Sequence, residues 1–224
     1  MAIDFGNAGS RTHEFGLRAK QAVQKARLQV AEAVDADKDE VVFTSGATES
    51  NNLAILGLAD YGLKTGKRHI ISTQIEHKAV LEPLQSLEKD GFEITLIAPD
   101  KSGWVDPQRI KEELKEETLL ISIMHVNNET GVIQPITEIS ETIKSHDVYF
   151  HVDAAQGFGK DIDTLLDQRI DMISISGHKI YGPKGIGALV LRKRDYERPP
   201  LQPIMFGGGQ EKKLRPGTLP VYSI

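Results

Sequence analysis

The chain has 224 residues, 39% of them hydrophobic and 26% charged, which is enough for one sizeable soluble core. Its net charge of −5 argues against a protein that works by neutralising nucleic-acid phosphates, and direct nucleic-acid binding is not expected. It has no cysteine, hence no disulfide framework or thiolate metal site, and no apolar run nears the ~20 residues of a membrane span.

At the start, Met1 to Ser10 carries neither a basic patch followed by an apolar core nor a cleavage site, so a cytoplasmic location is expected. Residues 16–34 place Leu17, Ala22, Val23, Ala26, Val30 and Ala33 on one helical face. Residues 41–43 read as a strand, and Ser45-Gly46-Ala47-Thr48 as the turn into a helix over 49–63. A strand at 70–72, a helix at 78–89, a strand at 92–97 and a helix at 109–115 follow. The remaining strands are expected at 119–124, 148–152, 172–176 and 188–191, with a helix at 136–145. After the last strand the segment from Gly207 to Thr218 is polar and glycine-rich, and is expected not to pack as core.

Continuous apolar strands such as Leu119-Leu120-Ile121 imply burial on both faces. Strands alternating with helices imply an α/β fold, a mostly parallel sheet with helices on both faces. In such sheets ligands sit at the carboxyl ends of the strands. The polar clusters at 44–51, 74–77, 125–129, 153–156 and 176–179 fall at those ends.

Three of these clusters are suited to chemistry, each with a plainer alternative. Free N–H groups after Ser45-Gly46-Ala47-Thr48 would make an anion site, although an ordinary capped helix start has the same look. Asp153 ends the strand Tyr149-Phe150-His151-Val152, where a buried carboxylate needs a partner such as a protonated pyridine nitrogen; it would equally serve as a cap for residues 154–156. Lys179, in Ser176-Gly177-His178-Lys179-Ile180-Tyr181-Gly182-Pro183, lies just beyond a buried strand. Desolvation there would make it an amine nucleophile for imine formation; the alternatives are a solvated loop lysine, or Lys184 in the same role. His77 is suited to stacking on a flat heteroaromatic ring, or to a structural role. The remaining histidines are not spaced like a metal site, so no metal is assigned.

Six stretches together carry a resemblance: residues 43–54 (Phe43-Thr44-Ser45-Gly46-Ala47-Thr48 onward), 76–81, 124–129, 151–156, 176–185 and 207–211. In order and content they resemble the class V aminotransferase family, and within it the cysteine desulfurases. The resemblance implies the large domain of fold-type I pyridoxal-phosphate enzymes over 1–224, incomplete at its N-terminus and without the family's C-terminal small domain. It implies pyridoxal 5′-phosphate as cofactor, held as a Schiff base by Lys179, with Asp153 on the pyridine nitrogen and His77 stacked on the ring. Asn128 and Gln156 would hold the ring hydroxyl side, while Ala47, Thr48, Ser176 and His178 would bind the phosphate, with Gly177 in the same cofactor-binding loop. Thr218 would reach the phosphate of a partner subunit in a homodimer, although Pro216 stands where many relatives have serine.

The implied reaction takes sulfur from L-cysteine, leaves L-alanine, and passes the sulfur through an enzyme persulfide to an acceptor protein, as in iron–sulfur supply or tRNA thiolation. Arg11-Thr12-His13-Glu14-Phe15-Gly16 and Leu81-Glu82-Pro83-Leu84 resemble the branch serving DNA phosphorothioation. Two departures stand out: the chain lacks the cysteine that would carry the persulfide, and it starts late, at Phe5-Gly6-Asn7. A fragment of a desulfurase is therefore expected. The alternatives are a non-catalytic cofactor-binding module, or a lyase or aminotransferase acting on another amino acid.

Overall fold

A computed structural model describes residues 6–10 and 12–224; residues 1–5 and Arg11, which bear on the N-terminal readings above, lie outside the described residues. The elements run α1 (Glu14–Glu32), β1 (Val41–Thr44), α2 (Ala47–Leu56), α3 (Ala59–Thr65), β2 (His69–Thr73), α4 (Lys78–Lys89) and β3 (Glu93–Ile97). They continue with α5 (Pro107–Glu113), β4 (Thr118–Met124), α6 (Ile136–Thr142), β5 (Tyr149–Asp153), β6 (Met172–Ser176) and β7 (Gly187–Leu191).

The described residues form one seven-stranded sheet in the order β1-β7-β6-β5-β4-β2-β3. Strands β2 to β6 are parallel to one another, while β7 is antiparallel to both β6 and β1. Two reversals restore direction, so β1 ends on the same edge as β6. The register Ser176↔Gly187↔Thr44 brings those ends together. All five polar clusters therefore meet along one sheet edge.

Side-chain alternation sorts the apolar residues into two cores. One face packs Val23 and Ala31 of α1, Ile110 of α5 and Ile136 and Ile139 of α6 against Ile121, Phe150 and Ile173. The other packs Leu53 and Ile55 of α2 and Val80, Leu84 and Leu87 of α4 against Ile70, Leu120 and Met172. On this second face a polar layer lies one or two residues below the strand ends. Ser72 Oγ donates to the Ser122 carbonyl at 2.7 Å, and Ser122 Oγ hydrogen-bonds with His151 Nδ1 at 2.8 Å. His151 Nε2 in turn meets Ser174 Oγ at 2.9 Å. Every member of this layer is fully buried, so its hydrogen bonds are what make the burial tolerable.

The structure departs from sequence expectation in two places. The helix expected over 49–63 is two, α2 and α3, broken at Gly57. The 201–202 segment crosses there: Gln202 N donates to the Gly57 carbonyl at 2.9 Å, and a Cβ on Gly57 would lie 3.0 Å from the Gln202 carbonyl. Between β5 and β6, where no helix was expected, the parallel crossover runs through turns and a 3₁₀ turn at Asp163–Leu166. The glycine-rich tail, expected not to pack as core, is docked on the body. Glu211 is buried and pairs with Arg27 through both carboxylate oxygens, at 2.5 and 2.8 Å, while Phe43 N donates to Glu211 Oε2 at 2.7 Å. Leu214 packs on the α2/α4 core, and Leu219, Val221 and Ile224 pack on the other.

Candidate functional site

A cavity of about 600 Å³ lies at the sheet edge where the five clusters converge. Ala47, Thr48, His77, Asn128, Asp153, Gln156, Ser176, His178 and Lys179 all line it. Gly177 and Thr218 do not. Gly177 instead shapes the loop: its N–H donates to the Ile186 carbonyl at 2.9 Å, and a Cβ there would meet Ile186 Cγ2 at 2.8 Å. The cavity is also lined by Ser45 and Gly46 of the expected anion turn, by the alternative lysine Lys184, and by Asn51, Glu129 and Gly185, which had no role from sequence.

The first turn of α2 forms one end. Its N-cap is Gly46, with φ 152°, a conformation that side-chain-bearing residues avoid, and no side chain caps the turn. An ordinary side-chain-capped start is thereby ruled out, and the free N–H groups face an anion-sized opening. Glu49 does not fill it, because its carboxylate is engaged by Ser45 N at 2.7 Å and by Arg215 Nε at 2.8 Å. Beside it, Ser176 Oγ hydrogen-bonds with His178 Nδ1 at 2.9 Å.

Asp153 forms the floor. It is 5% exposed, and burial pushes its carboxyl above the usual carboxylate range. Two donors oppose that push: Ala155 N on Oδ1 at 3.0 Å and Asn51 Nδ2 on Oδ2 at 2.7 Å. The capping role and the buried-carboxylate role are thus both present, one on each oxygen. No cationic side chain among the described residues forms an ion pair with it.

Two neighbours shape the walls. His77 caps α4, its Nδ1 accepting from Ala79 N at 3.1 Å, which fixes a ring that also lines the cavity. Glu76, just before it, is 6% exposed; its Oε1 accepts from Thr73 Oγ1 at 2.7 Å and Met124 N at 2.9 Å. Burial pushes its carboxyl up to about 8. Asn127 holds the next loop, its Oδ1 accepting from Glu129 N and Thr130 N at 2.9 Å each, and so presents Asn128.

Lys179 sits in a short 3₁₀ turn, Gly177–Ile180, stopped by Tyr181 at φ 64° and closed by Gly182 N donating to the Gly177 carbonyl. The lysine is half-buried, whereas Lys184 is exposed although it also lines the cavity. Among the described residues, neither amine has a carboxylate partner.

The aminotransferase class-V family profile matches residues 4–220. The cysteine desulfurase IscS of Pectobacterium carotovorum subsp. carotovorum strain PC1 is 52% identical over 220 residues, 98% of this chain and 54% of that protein. IscS of Escherichia coli O9:H4 strain HS is 50% identical over 226 residues, covering 100% and 55%. The crystal structure of DndA from Streptomyces lividans superposes with a TM-score of 0.92 at 60% identity, over 98% of this chain and 62% of that one. A structure of SspA in complex with cysteine gives 0.91 at 45%, over 100% and 63%. The chain spans about half the length of the curated relatives it matches.

Proposed function

The chain belongs to the aminotransferase class-V family, and from that premise we propose that it is the pyridoxal-phosphate-binding domain, residues 1–224, of a cysteine desulfurase. The observation that carries the reading is Asp153: a carboxyl held at the cavity floor by two donors, with no ion-pair partner among the described residues. A protonated pyridine nitrogen is the cation it fits. The uncapped first turn of α2 fits the phosphate, and the Lys179 amine that lines the same cavity fits the aldehyde.

Bound there, the cofactor supplies an electron sink for charge developing on an amino-acid substrate. The chain's residues do the rest. Asp153 keeps a proton at the ring nitrogen, and the α2 N–H groups with Thr48, Ser176 and His178 anchor the phosphate. His77 covers the ring face, and Asn128 and Gln156 hold its hydroxyl side. Lys179 would hold the cofactor through its amine, and the same amine is the group that would move protons on the substrate.

L-cysteine is the proposed substrate, with a sulfur-acceptor protein downstream, in the cytoplasm. The chain works as a homodimer in which Thr218 reaches the partner's phosphate. A second reading, a non-catalytic cofactor-binding module, is favoured by one fact: none of the 224 residues is cysteine. Alanine and sulfide release from L-cysteine separates the two.

The binding claim is tested by adding pyridoxal phosphate to the chain, reducing with borohydride and mapping the adduct. A yellow species fixed on Lys179 is expected. An adduct on Lys184 would overturn the lysine assignment, and failure to retain any cofactor would overturn the reading itself.

A further inference from the structure

Asp153 has to stay ionised while buried, and the only side chain that donates to it among the described residues is Asn51, at 2.7 Å. Asn51 is 1% exposed and lines the cavity. It stands one turn after Ala47 on the same face of α2, so the helix whose first turn lines the cavity also reaches the carboxylate at the cavity floor. The cost of keeping this amide buried is visible, for Asn51 Oδ1 has no hydrogen-bond partner among the described residues. A buried acceptor left unpaired is unfavourable. Turning the amide would offer Nδ2 to whatever lies beside Oδ1, but would set an oxygen against the Asp153 oxygen. The observed orientation is the one an ionised carboxylate demands, since that group only accepts.

We propose that Asn51 is a positioning residue for Asp153, holding one carboxylate oxygen so that the group stays ionised and fixed at the cavity floor for the cofactor's ring nitrogen. The proposal rests on the cofactor reading above. Two titratable groups act on Asp153 besides this amide: Glu76 beyond β2, which disfavours its charge, and His77 at the start of α4, which favours it. Neither donates a hydrogen bond to it, so Asn51 is the side chain that ties charge to orientation.

The test uses the 224-residue chain in two states. In the cofactor-free protein, carbon NMR of labelled aspartate follows Asp153 with pH; Asn51→Ala is expected to move its titration to higher pH. With pyridoxal phosphate added, Asn51→Ala should raise the dissociation constant ~10- to 100-fold, the loss of one hydrogen bond to a charged group. In an Asp153→Asn background the same change should have far less effect, because the partner it serves is gone. Asn51→Ser provides a second, smaller perturbation with the same expectations.

An unmoved Asp153 titration, or equal affinity losses in both backgrounds, would overturn the proposal. So would unfolding of both Asn51 variants while Asp153→Asn folds, which would make Asn51 a packing residue. If the unsubstituted chain retained no cofactor, the cofactor reading would fail, and the NMR titration would still decide the role of Asn51.

Discussion

Glu76 and His151 are buried ionisable side chains that couple folding to pH in opposite directions. Glu76 titrates near 4.5 when unfolded and at about 8 in the fold, because burial favours its neutral form. Between those values the folded chain keeps a proton that the unfolded chain has lost. The stability contributed by this group is therefore complete below pH 4.5 and is lost as pH rises toward 8. His151 does the reverse: burial takes it down to about 3, so the folded chain stays neutral where the unfolded one gains a proton. Its contribution is complete above pH 6.5 and is lost as pH falls toward 3. Substituting Glu76→Gln keeps an acceptor for Thr73 Oγ1 and Met124 N and removes the ionisation. The variant should show a flatter fall in stability from pH 5 to 8, gaining on the parent by a few kcal/mol, ~2–4, at the alkaline end. Urea unfolding at stepped pH measures this. Parallel curves for the two proteins would mean that Glu76 is already ionised in the fold. Asp153, also raised by burial, titrates in both proteins, and removing the neighbouring Glu76 charge eases its ionisation, which adds to the variant's gain at the alkaline end.

At the scale of elements, the tail is held by a buried ion pair that joins its 3₁₀ turn at Gln210–Lys213 to α1 and β1. Glu211→Ala leaves the Arg27 guanidinium buried without its carboxylate and the Phe43 N–H without its acceptor. The expected loss is ~3–5 kcal/mol, seen as a lower urea midpoint. A double replacement, Arg27→Met with Glu211→Leu, should recover part of it, since no charge is left buried, while the Phe43 N–H still lacks its acceptor. If Glu211→Ala were neutral, the docked tail would contribute nothing to the fold.

This latch also marks what could be read from the sequence. Apolar strands such as Leu119-Leu120-Ile121 and polar residues such as Asp153 and Lys179 at strand ends are local patterns, and the sheet edge brought them together as expected. The break at Gly57 and the docking of Glu211 were not legible, because each depends on a segment more than a hundred residues away. Asn51 escaped for a related reason. Its four-residue spacing from Ala47 puts both on one helix face, but only the packing of α2 over β5 turns that face onto Asp153. Glu76 stood beside His77 in plain view; its burial follows from the β2–β4 pairing, which takes Met124 N to its carboxyl.

For the whole molecule, composition limits the chemistry more tightly than geometry does. Converting L-cysteine to L-alanine breaks the carbon–sulfur bond, and the sulfur departs to a nucleophile as sulfane sulfur. A thiolate can accept it and hold it as a persulfide; a serine hydroxyl or a histidine ring cannot hold a transferable sulfur. None of the 224 residues is cysteine, so the accepting thiol has to come from outside the chain. With an added thiol the balance closes as cysteine plus two thiols giving alanine, hydrogen sulfide and one disulfide. Under the desulfurase reading, the cofactor-loaded chain should therefore release alanine at a rate that rises in proportion to added thiol, without saturating. No sulfur should be recovered on the protein by alkylation and mass spectrometry. Supplying in trans a polypeptide that brings a cysteine to the cavity should replace this linear dependence with a saturable one, and raise the rate by orders of magnitude through proximity. Alanine production that ignored the thiol concentration would show that the chain removes sulfur by a route needing no thiolate, and the desulfurase reading would fall with it.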